Sequence, residues 1–134
     1  MAKPLFILIL SLILFCTGAS FSEIWYPSKD STIEAKVSLV GTSQALVLPR
    51  NKVFSLNILF RSARKKIKIK SLSFDARMPV HRHGMVTLPK ATMLSEDSFL
   101  IEGVKLHMMG TWEFTIKVDT NLGQKIFVIP YELD

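Results

Sequence analysis

The segment Thr111-Trp112-Glu113-Phe114-Thr115-Ile116-Lys117-Val118 alternates between polar and apolar side chains along its whole length. Successive side chains of a β-strand point to opposite faces, so the four apolar residues would share one face. A strand with one apolar and one polar face is typical of an antiparallel sheet that covers a core on one side. The segment therefore predicts a β-strand, and Trp112 is expected to anchor a core between two sheets.

Six further segments carry strand signals and are separated by short stretches of turn residues. They are residues 32–40, 53–60, 66–76, 85–88, 99–106 and 125–131. Residues 121–123 (Asn-Leu-Gly) fit a hairpin turn between the last two strands, and Pro130 fits an edge strand because proline donates no ladder hydrogen bond. About seven strands without a convincing helix predict an all-β fold, a two-sheet β-sandwich of immunoglobulin-like type.

The composition narrows the classes of protein further. The chain has 134 residues, a formal charge of +6 and 49% hydrophobic residues, which suits one folded domain and argues against disorder. Its one cysteine, Cys16, lies in the N-terminal segment, so the domain that follows would contain no disulfide, thiolate ligand or cysteine nucleophile. A multidomain enzyme, a coiled coil and a disulfide scaffold are excluded.

The N-terminus has the pattern of an export signal. Lys3 precedes an 11-residue apolar stretch at positions 5–15, and small residues follow at positions 17–20. We expect a signal peptide at residues 1–19, cleaved after Ala19, and a periplasmic or secreted domain at residues 20–134. The alternative is an uncleaved membrane anchor, since the apolar stretch can be counted on to Phe21.

Residues 61–70 carry six cations in ten positions. One interpretation is attraction to an anionic partner such as lipid headgroups. The other, which we favour, is a turn followed by a strand whose lysines face solvent and discourage edge pairing. No aromatic residue interleaves the run, and an exported protein is in the wrong compartment for nucleic acid, so nucleic-acid binding is not expected.

Histidine and methionine are concentrated in two short segments. If residues 81–85 are extended, His81, His83 and Met85 project from one face; by the same alternation His107 and Met109 share a face. Two imidazoles with a thioether form a donor set that suits copper, particularly Cu(I), while zinc remains open through the histidines. The alternative is that the methionines fill a sandwich core and the histidines only hydrogen-bond or face water.

These residues also carry a family resemblance. The chain resembles the YtkA-like domain over residues 74–120, with three motifs in the order expected of that family. They are Met78-Pro79-Val80-His81-Arg82-His83-Gly84-Met85, Phe99-Leu100-Ile101-Glu102-Gly103-Val104-Lys105-Leu106 and Met109-Gly110-Thr111-Trp112-Glu113-Phe114. More distantly, the chain is similar to the FixH-like accessory proteins, which are tied to copper supply for respiratory oxidases.

The resemblance implies an exported or membrane-tethered β-sandwich without catalytic activity and with a connection to copper. It makes His81, His83 and Met85 the candidate ligands, with His107 and Met109 as second candidates. Arg82 departs from the small or neutral residue usual between the histidines; on a strand it would point to the opposite face, although its charge opposes cation binding.

Two functions follow from these observations. The first is a non-enzymatic module that binds or handles copper; the alternative is a structural or protein–protein interaction module of the cell envelope, without metal. An enzyme is not supported, because no Gly-x-Ser-x-Gly elbow, phosphate-binding glycine loop or His-Glu-x-x-His pair occurs.

Overall fold

A computed structural model describes residues 23–42 and 45–134. These residues form nine β-strands and no helix. The strands are β1 (Tyr26–Pro27), β2 (Glu34–Leu39), β3 (Val53–Arg61), β4 (Ile69–Met78), β5 (His83–Gly84), β6 (Lys90–Ser95), β7 (Ser98–Lys105), β8 (Gly110–Thr120) and β9 (Gly123–Leu133).

The strands form two antiparallel sheets. The first has the order β1-β2-β3-β7-β6, and the second has the order β5-β4-β8-β9. The prediction of an all-β, two-sheet sandwich is confirmed. The hairpin is confirmed as well, because Thr120 pairs with Gly123 around residues 121–122, and Pro130 does lie on an edge strand, β9.

The core lies between the sheets because alternate residues of the long strands point inward. Trp112 and Phe114 of β8 are fully buried, as the alternation predicts. Phe60 of β3 packs against Phe127 of β9 with ring centroids 5.6 Å apart, which joins the two sheets. Every residue of the buried core lies between Ile33 and Leu133, so a chain that starts at Ser20 contains the whole core.

Six of the seven predicted strands have counterparts, and one prediction is wrong. Residues 85–88 are not a strand but belong to a crossing segment that carries the chain from β5 to β6 in the other sheet. The sequence analysis also missed the two-residue strands β1 and β5, and β6, whose residues are half-buried or exposed and do not alternate. The third predicted strand begins at Ile69, since residues 62–68 form an irregular connection.

The connections gather at two opposite ends of the sandwich. The histidine end consists of residues 40–42, 45–52, 79–82, 85–89 and 106–109; a backbone hydrogen bond of 2.8 Å from Asn51 to Leu106 joins two of these connections. The basic end consists of residues 28–33, 61–68, 96–97 and 121–122, and a 3.1 Å bond from the Asn121 amide to the Lys68 carbonyl joins two of these.

The predicted signal peptide lies outside the described residues. Within residues 23–42 and 45–134, no helix is long and apolar enough to cross a membrane.

Candidate functional site

His81 and His83 lie on the hairpin that joins β4 to β5. Met78 pairs with His83 across this hairpin, and residues 79–82 form its turn. Arg82 has a left-handed backbone with φ of 52°, which reverses the chain direction. The predicted extended backbone is therefore wrong here. The turn nevertheless brings the two histidines together, with ring centroids 6.4 Å apart and ring planes inclined by 22°.

Met85 does not share the environment of the two histidines. Both histidines are exposed, whereas Met85 is half-buried and packs against the hydrophobic core. The reason is the crossing segment: as the chain leaves β5 for the other sheet, the thioether covers the edge of the core. The predicted common face of the three residues is not formed.

The second histidine segment is partly buried against a tryptophan. The His107 ring lies edge-on to Trp112, with centroids 5.7 Å apart. The Trp112 indole N–H donates a 2.9 Å hydrogen bond to the carbonyl of Met108, which fixes the loop above it. Residues 108 and 109 form a bend and not a strand, so the alternation that predicts a common face of His107 and Met109 is absent; Met109 is 60% exposed and His107 is half-buried.

A buried polar atom accompanies this arrangement. Nδ1 of His107 is buried and has no hydrogen-bond partner in the described part of the chain. Burying an imidazole nitrogen without a hydrogen-bond partner costs free energy of desolvation. The cost is removed when a water or another ligand donates a hydrogen bond to its lone pair or accepts one from its N–H. His107 therefore remains a candidate for a ligand contact, separate from the exposed pair.

The fold brings both histidine segments to one end of the sandwich. Arg77 pairs with Glu113 in register, so the end of β4 lies beside the start of β8. A Cβ built on Gly110 would lie 3.1 Å from Cε of buried Met78, which shows how closely the two segments approach. Among residues 23–42 and 45–134, no three His, Cys, Asp or Glu side chains are grouped so that they could hold one metal ion.

The charge of Arg82, beside the histidine pair, opposes the binding of a cation. Arg77 is neutralised by Glu113 at 3.0 Å, an exposed ion pair on the neighbouring strands. Arg82 forms no ion pair among the described residues and is exposed between the two histidines in sequence. Arg82 lies in a turn and not on a strand, so the prediction that its side chain points to the opposite face does not apply.

Sequence reasoning missed the apolar surface around the histidines. Twelve large apolar residues of the described chain are exposed, and eight of them lie in the connections of the histidine end or beside them. The most exposed are Leu88 at 98% and Val80 at 83%. The eight residues are Val40, Val47, Val53, Val80, Val86, Leu88, Met108 and Met109. Clustered exposed apolar side chains are more informative than single ones, which are normal on any surface.

Comparison of the chain with models of known families, with curated proteins and with solved structures gives no match in any of the three. The resemblance to the YtkA-like domain stays a prediction from the three sequence motifs.

Proposed function

We propose that this chain is an exported, non-enzymatic β-sandwich protein that binds a copper ion through His81 and His83. The observation that carries the proposal is the pairing of two exposed imidazoles on a short hairpin. The sequence motifs that resemble the YtkA-like domain support the choice of copper, and Met85, His107 and Met109 supply further soft or nitrogen donors in the same region.

The separation of the two rings suits a shared ion. A nitrogen–metal bond of about 2.0–2.1 Å sets the centroids of two imidazoles on one ion about 5–6.5 Å apart. The observed centroid distance of 6.4 Å lies at the upper end of this range. Small rotations of two exposed side chains would bring both rings into position, so binding needs no change in the fold.

The chemistry of the donors favours copper over harder ions. Imidazole nitrogens bind copper and zinc well, while magnesium and calcium prefer oxygen ligands. Thioether sulfur from Met85 or Met109 would favour Cu(I) further, although Met85 would have to leave its contact with the core. Arg82 lowers the affinity of the site for any cation.

A competition titration with Cu(I) on residues 20–134 tests the proposal. We expect one ion bound per chain, tighter than micromolar, and lost in the double variant His81→Ala/His83→Ala. The variant Met93→Ala, which removes a thioether outside both histidine segments, is the matched control and should retain the ion, whereas Arg82→Gln should bind it more tightly. The proposal fails if the wild-type chain shows no binding tighter than micromolar, or if the double variant binds as the wild type does.

A second candidate function is favoured by the apolar surface of the histidine end. In this alternative the chain is an interaction module of the cell envelope that docks a protein partner on Val80, Leu88 and their exposed neighbours. A photo-crosslinking amino acid at position 80 or 88 should then capture the same partner in intact cells, while one at exposed Val128 should not. Equal labelling from all three positions would contradict this alternative.

A further inference from the structure

The basic loop, residues 61–68, comprises the last residue of β3 and the connection to β4, at the end opposite the histidines. Five of its eight residues are cationic, and all five are exposed: Arg61, Arg64, Lys65, Lys66 and Lys68. Ile67, in contrast, is buried in the core at 7% exposure. The loop is thus anchored by one apolar side chain and presents its charges to solvent.

Hydrogen bonds from Asn121 to the backbone of this loop hold it in place. The Asn121 side chain accepts a 2.9 Å bond from the Lys68 amide and donates a 3.1 Å bond to the Lys66 carbonyl. The Asn121 amide also donates to the Lys68 carbonyl at 3.1 Å. Because the backbone is already ordered, the loop would lose little conformational entropy on binding a partner.

Acidic residues compensate only part of this charge. Glu96 pairs with Lys66 at 3.4 Å and with Lys68 at 3.1 Å, so one carboxylate serves two ammonium groups. Glu34 pairs with Arg61. Lys29, Asp30 and Asp97 also lie at this end, so six cations meet four carboxylates. In the described part of the chain, Arg64 and Lys65 form no ion pair. Exposed pairs contribute little stability, so the paired cations can also exchange partners at low cost.

An indole and an exposed isoleucine lie beside these cations. The Arg61 guanidinium is 3.8 Å from the centroid of the Trp25 ring, and Ile24 is 60% exposed. Tryptophan next to arginine or lysine is enriched at the boundary between a bilayer and water, where its ring meets both phases. The strand β1 also lies at this end, because it pairs with the first residues of β2.

From these observations we infer that the basic end is a docking surface for anionic lipid headgroups. Arg64 and Lys65 would contact the headgroups directly, and Lys66 and Lys68 would exchange Glu96 for lipid phosphate. Trp25 and Ile24 would rest in the interfacial region. The inference stands independently of copper binding, since it involves none of the histidines.

Sedimentation of residues 20–134 with phospholipid vesicles tests the inference without any contribution from the N-terminal apolar stretch. Binding is expected to vesicles containing phosphatidylglycerol, not to vesicles of phosphatidylcholine alone, and is expected to weaken strongly at high salt. Each cation near an anionic surface contributes about a fivefold gain in affinity, so the double variant Arg64→Glu/Lys65→Glu should bind at least about 25-fold more weakly.

The matched control is Arg50→Glu/Lys52→Glu, which changes the net charge equally at the histidine end. It should retain most of the binding. The variant Arg64→Gln/Lys65→Gln serves if the first double variant does not fold, as judged by its circular dichroism spectrum. The inference is overturned if the wild-type chain ignores anionic vesicles, if it binds neutral vesicles equally well, or if the control variant loses as much binding as the basic-loop variant.

Discussion

Replacement of Trp112 by phenylalanine should destabilise the sandwich and loosen the loop that carries His107. Trp112 is fully buried on β8, and its indole N–H donates to the carbonyl of Met108 at 2.9 Å. Phenylalanine keeps an aromatic ring in the core but has no donor and a smaller volume. The variant therefore removes one hydrogen bond and leaves a cavity at the same place.

Three contributions set the size of the effect. A cavity of about 40 Å³ costs about 1 kcal/mol, and the loss of apolar burial adds a similar amount. The lost hydrogen bond adds about 0.5–1.5 kcal/mol. We expect the free energy of unfolding to fall by about 2.5–3.5 kcal/mol in total, which lowers the Tm of a domain of this size by about 10 °C or more.

Urea unfolding followed by circular dichroism measures this loss, and Trp25→Phe is the matched control. Trp25 is half-buried and lies under Arg61, so its replacement should cost less than about 1 kcal/mol. The reasoning would be refuted if Trp112→Phe cost less than about 1 kcal/mol, or no more than Trp25→Phe. Either result would mean that Trp112 does not hold the loop and core together.

Two further predictions concern charge and backbone geometry. The Lys125 ammonium beside Asp30, with help from two hydroxyl groups, holds the pKa of that carboxyl well below its ordinary value of 3.8. The stability that this carboxylate contributes is present above pH 3.8 and is lost as the pH falls below it. The variant Asp30→Asn should therefore be less stable at neutral pH. In acid titrations of unfolding, its free energy of unfolding should decline less steeply from about pH 4 to 2 than that of the wild type. An equally steep decline in both proteins would contradict this assignment. Gly110 has φ of 116° and would place a Cβ 3.1 Å from Met78, so Gly110→Ala should cost about 1–3 kcal/mol. Gly84→Ala, which meets open space, should cost little, and equal thermal shifts in the two variants would contradict the backbone argument.

The fold was predictable where a strand has one buried face. Alternation along residues 111–118 gives β8 because every second side chain enters the core. The strand β6 carries no such pattern, since all of its residues are half-buried or exposed. Residues 85–88 (Met-Val-Thr-Leu) have the residue types of a strand, and only the three-dimensional path shows that they cross between sheets.

The candidate site was predictable in composition but not in geometry. The spacing of His81 and His83 suggested a common face, and the two rings do lie together, but for a different reason. The turn depends on a left-handed conformation at Arg82, a residue type that gives no turn signal as glycine or asparagine would. The burial of Met85 and the orphan nitrogen of His107 depend on contacts with distant strands, which spacing along the chain does not encode.

The opposite placement of the two loop clusters has a consequence for access. Strands of nine to eleven residues separate them, which corresponds to about 30 Å at the rise of an extended chain. A macromolecule or lipid layer bound at the basic end would therefore leave the histidine end accessible, and the reverse also holds. The imidazole pair would then lie about that distance from anything bound at the basic end.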